Sequence, residues 1–193
     1  MRDMSEIALH HLLVSNTNKL NFKEILEDYR ECFAGHEAVI QTNYNLLSSV
    51  KVLFNEHDVP HLMGWEKVRT KHKNASAIIN DIDQGTFTAE VARKSHEYFR
   101  IKKRMQNYNF MHRIFIDCDI NVFVYTRDMK PNRLKLDIVF CYLKEPKEVV
   151  VLGLRKAEGR DVFVPTTLHT ESARNNIYLC RKRTQINSLD WEF

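Results

Sequence analysis

The sequence predicts an α+β protein, with N-terminal helices followed by an antiparallel β-meander of five or six strands. Two observations carry this expectation. Up to about Met105, apolar residues recur at three- and four-residue spacing, the mark of one buried helix face. From Phe110 onward they fall in short runs rich in β-branched residues. The breaks between these runs are far shorter than the crossover of about a dozen residues that parallel neighbours require.

In chain order, Leu9, Leu12 and Leu13 predict a first helix, and Phe22, Ile25, Leu26 and Tyr29 a second that Gly35 stops. Val50, Val52 and Phe54 alternate along a short extended piece, and Pro60 then turns the chain into a helical start at His61, with Gly64 close behind. Ile78, Ile79 and Ile82 form another apolar stripe, ending at Gly85. Thr86 or Thr88 caps the next helix, which has Glu90 in its first turn and is expected to turn Val91, Phe99 and Met105 inward. The predicted strands are Phe110 to Ile116, Ile120 to Tyr125, Leu134 to Tyr142, Val149 to Leu154, Val162 to Leu168 and Ile177 to Arg183. Pro165 marks the fifth as an edge or interrupted strand. Residues 1–47 read as an N-terminal helical segment and 48–193 as the α+β domain, together one compact unit.

With only five Gly and four Pro, a low-complexity or linker-built protein is excluded. The net charge of +4 is mild, but its distribution is not. Arg93 to Arg113 holds seven Lys or Arg against the single acid Glu97, and Arg174 to Arg183 adds four cations, a footprint suited to phosphate. Cys32, Cys118, Cys141 and Cys180 lie far apart with no CxxC pair, so zinc and redox motifs are unsupported and no cofactor is expected. Asp117 and Asp119 read as a turn, not a metal site. Met1 to Asn18 lacks a basic region followed by an apolar core, and no apolar run reaches membrane-spanning length. A cytoplasmic location with reduced thiols is the expectation.

Cleaving RNA without a metal takes a proton acceptor, a proton donor and cations on the phosphate. His61, in the HLMGW stretch ahead of Gly64, suits proton transfer, and Lys67 and Lys71 follow one helical turn apart. Arg155 ends an apolar strand, where a guanidinium can hold a phosphate. Thr167 and His169 share a strand face, with Thr166 beside them. Arg100 and Arg104, and Arg181 and Arg183, would bind substrate. The plainer alternative is that His61 bonds a loop carbonyl and the threonines only pack a strand. His10, His11, His36, His57, His72, His96 and His112 have no comparable context. The same cations would equally serve a non-catalytic regulator that binds nucleic acid or a host protein. No dinucleotide-binding, P-loop, zinc-protease or serine-hydrolase motif occurs.

HLMGW, VLGLRK, FVPTTLH and a closing RKR together resemble the phage-associated branch of the barnase–EndoU–colicin–RelE-like nuclease superfamily, over roughly Ser49 to Leu189. The resemblance implies an RNA-directed nuclease or toxin-like domain of phage, plasmid or bacterial origin. It implies RNA, such as tRNA, as substrate and a cognate antitoxin or inhibitor as a further partner. It carries His61, Arg155, Thr167 and His169 over as site positions.

Overall fold

The computed structural model describes residues 12–14, 20–69 and 74–192. It is an α+β structure in which, among the described residues, seven strands close into a mixed barrel. Helix α1 (Phe22–Cys32) starts where Asn21 accepts hydrogen bonds from the Lys23 and Glu24 amides, and it buries Phe22, Ile25, Leu26 and Tyr29. Strands β1 (Glu37–Thr42) and β2 (Ser49–Leu53) form an antiparallel pair. Short helices α2 (Val59–Met63) and α3 (Trp65–Val68) meet at Gly64. Its φ of 76° and the Ile101 methyl, 2.8 Å from where a Cβ would sit, restrict this corner to glycine. Then come α4 (Ala75–Asp83), α5 (Ala89–Ala92, capped by Thr88), α6 (Tyr98–Gln106) and α7 (Phe110–Phe115). Strands β3 (Val122–Tyr125), β4 (Ile138–Glu145), β5 (Glu148–Lys156), β6 (Phe163–Ser172) and β7 (Thr184–Glu192) complete the barrel in the spatial order β1-β2-β6-β5-β4-β3-β7.

The sheet departs from the expected antiparallel meander in several ways. It is mixed, because β2 and β6 run parallel through Val52 and Phe163. The intervening chain of helices supplies the long crossover that parallel neighbours need. Phe110 to Ile116 forms helix α7 instead of a strand. Its run of Phe110, Met111, Ile114 and Phe115 is buried on several sides, and an apolar stretch of that length carries no period to tell helix from strand. Ile177 to Arg183 is a turn-rich loop, and the last strand lies beyond it at Thr184–Glu192. The half-exposed, alternating pattern of that strand hid it among polar residues. Pro165 sits inside the closed sheet, facing Leu154, where the register slips between Gly153 and Leu154. A bulge tolerates a residue with no N–H to give, so an edge was not required.

Helical expectations also shift. The expected first helix lies largely outside the described residues, and residues 12–14 are not helical. The predicted helix from Thr88 onward breaks into α5 and α6; Met105 is buried, but Val91 and Phe99 are 42% and 68% exposed. The boundary at residue 47 falls between two paired strands of one barrel, β1 and β2.

Two apolar layers result. The inner one joins Ile138, Phe140, Val150, Leu152, Leu154 and Leu168 to the helices through Leu62, Ile101 and Met105. The outer one is Val139, Cys141, Val149 and Val151, covered by Leu136 and Tyr178. The Leu136 side chain closes over Gly153, whose missing Cβ would lie 2.4 Å from one Leu136 methyl. Gly153→Ala should therefore destabilise by about 1–3 kcal/mol through overpacking, read as a lower urea midpoint with unchanged slope. In a Leu136→Ala background the cost should shrink, because the two sites share one space. An equal cost in both backgrounds would rule out Leu136 as the group displaced.

Candidate active site

Residues facing each other across an antiparallel pair point to the same side of the sheet, and neighbours along a strand alternate. Gly153 faces Thr167, Val151 faces His169 and Val149 faces Glu171. Thr167, His169 and Glu171 therefore form a row on the outer side of β6, while Leu168 points into the inner layer. The row is bonded end to end. Thr167 Oγ1 lies 3.2 Å from His169 Nδ1, and His169 Nε2 lies 3.0 Å from Glu171 Oε1. With Glu171 ionised, Nε2 donates its proton to the carboxylate and Nδ1 accepts from the Thr167 hydroxyl. Asn176 Nδ2 donates to the other carboxylate oxygen at 2.8 Å.

Asn176 also anchors the loop that follows. Its Oδ1 accepts from the Tyr178 and Leu179 amides at 3.0 and 3.2 Å, and the Ala173 amide bonds the Lys147 carbonyl at 3.0 Å. The loop is thereby folded across the outer side of the barrel, with Tyr178 buried and Arg174, Arg181, Lys182 and Arg183 exposed. Burial pushes the Tyr178 hydroxyl up to about 12, reinforced by the Glu171 charge. Burial likewise raises the Cys141 thiol, and the charge of Arg183 opposes it.

The remaining expected residues divide between this face and the helical side. Arg155 faces Val164 and shares the outer side, two residues from Gly153. Its guanidinium donates to the Lys135 and Leu134 carbonyls at 3.2 and 2.7 Å, bracing the loop ahead of β4. The Thr166 hydroxyl turns back to the Val164 carbonyl at 3.1 Å. His61 lies on the other side of β6, on α2, whose Leu62 enters the inner layer. Its Nδ1 is 3.3 Å from Glu66 Oε1, and its carbonyl accepts from Arg104 at 3.1 Å. Lys67 and Arg100 join this helical cluster, where burial and then the charge of Arg104 depress the Lys67 ammonium. Lys71 lies outside the described residues, and α3, which carries Lys67, ends at Val68. His61 and His169 are thus not brought together.

Glu171, Asn176 and Tyr178 did not emerge from the sequence. A strand extended past Leu168 would have put Glu171 at the next alternate position after Thr167 and His169. Asn176 joins the row only by loop folding, which has no periodic signature.

A second group of titratable side chains is buried. Asp28 and Cys32, one turn apart on α1, meet His112 of α7 with ligand atoms within 4.8 Å of one another. Asp28 already accepts from Tyr108 at 2.6 Å and from the Leu12 amide, and its carboxylate lies 2.9 Å from His112 Nε2. Burial alone would raise this carboxyl, but His112 and Tyr108 hold it below its ordinary value. The Asn109 amide, fixed by Leu12 and Val14, points its N–H toward His112 Nδ1 at 3.4 Å. The carboxylate and the imidazole are thus already engaged by protein groups, as in a structural network.

Residues 21–189 match the family described as phage-Barnase-EndoU-ColicinE5/D-RelE like nuclease4, and the chain belongs to that family. No curated protein and no solved structure was found to match it. Among the described residues, no helix is long and apolar enough to cross a membrane.

The Glu171 carboxyl is held below its ordinary value because His169 hydrogen-bonds its ionised form, with Asn176 adding to this against partial burial. A depressed carboxyl stabilises the fold above its ordinary titration range, and the contribution is lost as pH falls through the folded-state value. The stability lost in Glu171→Gln should be fully present above the ordinary titration range of a carboxyl and fade as pH falls below it. Denaturant titrations across pH would check this, and a gap that widened toward acid would contradict it.

Proposed function

We propose that the protein is a metal-independent endoribonuclease whose reacting groups lie on the outer face of β6. The observation that carries this reading is the bonded row Thr167–His169–Glu171 beneath an exposed cationic loop. In the proposed reaction a ribose 2′-hydroxyl attacks the adjacent phosphorus, the 5′-oxygen leaves, and a 2′,3′-cyclic phosphate forms. The His169–Glu171 pair shares one proton and supplies acceptor and donor in turn, with the Thr167 hydroxyl at the imidazole nitrogen that faces substrate. Arg181 and Arg183, with Arg155 behind them, offset the charge that builds on the phosphorus oxygens. His61, Lys67, Arg100 and Arg104 stand on the helical side and take no part in bond making. The reading implies RNA as substrate, with a tRNA or another structured RNA as the natural target, a cognate inhibitor protein as partner, and action in the cytoplasm.

Cleavage of a short RNA should continue in EDTA and leave a 2′,3′-cyclic end. His169→Ala should slow it by roughly 10²–10⁴-fold, the range of general acid–base catalysis, while His61→Ala leaves it near the wild-type rate. A product ending in a 3′-hydroxyl, or full activity in His169→Ala, would sink the proposal. The second reading, a regulator that binds nucleic acid or a host protein without cutting, is favoured by one observation. The exposed Arg174, Arg181, Lys182 and Arg183 need no nucleophile to hold phosphates. RNA that stays intact yet binds with steep salt dependence would select it.

A further inference from the structure

Helix α6 buries Ile101 and Met105, and its opposite side presents Phe99, Arg100 and Lys103 together, at three- and four-residue spacing. Phe99 is 68% exposed, although a phenylalanine turned inward would stabilise the fold. Its ring is nevertheless held in place. Both Glu97 carboxylate oxygens bond Arg100 Nη1, at 2.9 and 3.1 Å, and the Arg100 guanidinium backs the ring with its carbon 5.7 Å from the centroid. An aromatic face presented among cations is what successive bases of a single strand stack upon.

The stripe also runs toward the active face. Lys103 pairs with Glu148, the first residue of β5, which faces Ser172 next to Glu171. The cationic loop after β6 is tied to the same turn, through the Lys147 carbonyl. The basic side of α6 and the start of the loop that carries Arg181 and Arg183 are therefore both tied to the turn between β4 and β5.

We infer that α6 is an exosite for single-stranded RNA, in which Phe99 stacks a base and Arg100 and Lys103 take phosphates flanking the segment held on the outer face. The inference rests on the reading that the outer face handles RNA, but its test does not depend on cleavage. A fluorescent 2′-O-methyl RNA of about twelve nucleotides, a length within the usual site sizes, has no 2′-hydroxyl nucleophile and cannot be cut by the proposed route. Anisotropy titrations with the full chain should give Phe99→Ala a dissociation constant roughly 5- to 100-fold above wild type, with Phe99→Trp near wild type. A trinucleotide probe should bind both proteins alike. Arg100→Gln should lower the salt slope by about one. Because Phe99 is exposed, thermal unfolding of Phe99→Ala should match wild type and separate lost stacking from lost folding. Unchanged binding of the longer RNA by Phe99→Ala overturns the exosite even where His169→Ala abolishes cleavage. Loss of binding in Phe99→Ala upholds it even where no cleavage is found. Wild-type protein that does not bind the longer RNA also overturns it, and leaves α6 as a surface for a protein partner.

Discussion

The rest of the structure depends on one constraint: strand β5 is buried on both faces. Val150, Leu152 and Leu154 face the barrel interior and Val149 and Val151 face outward, and all five are fully buried. Each such side chain contributes about 1.5–3 kcal/mol only if water is kept off it. The inner set is covered by helices that enter between β2 and β6, which is why those two strands can run parallel. Among the described residues, no helix covers the outer set. Leu136 covers it from one side and the loop after β6 from the other, through Tyr178. The same burial that completes the core thus lays a loop with four cations beside His169.

That arrangement explains why one polar row survives next to an apolar layer. A buried polar group is costly unless it is bonded, and here each member bonds the next. Thr167, His169, Glu171 and Asn176 form a continuous chain that ends on the loop backbone. The row therefore fixes the loop as much as the loop encloses the row. The hydrogen bonds that hold the loop therefore also orient the His169 imidazole.

On the helical side, a separate buried network does comparable work. Asp28 gathers Tyr108, His112 and the Leu12 amide, and Asn109 grips the backbone on either side of Leu13. This ties residues 12–14 and α7 to α1 by polar contacts, in a region where Phe33 and Tyr108 otherwise supply only ring packing.

By itself the sequence determined the α+β class, the extents of α1 and α4 and the positions of β3 to β6. These follow from local causes: apolar periodicity, Asn and Thr caps, and glycines such as Gly35 that end helices. It also marked Thr167 and His169, because alternation along a strand is a local rule. Tertiary structure decided the rest. It made Phe110 to Phe115 a helix, because a run buried on several sides has no period to read. It closed the sheet by pairing β2 with β6 and β1 with β7, contacts between residues more than a hundred positions apart that no local pattern encodes. It separated His61 from His169 by placing them on opposite sides of one strand. It brought Asn176 to the Glu171 carboxylate and Tyr178 to the outer apolar layer by folding a loop over Val149 and Val151, an outcome fixed by the need to cover the second face of β5.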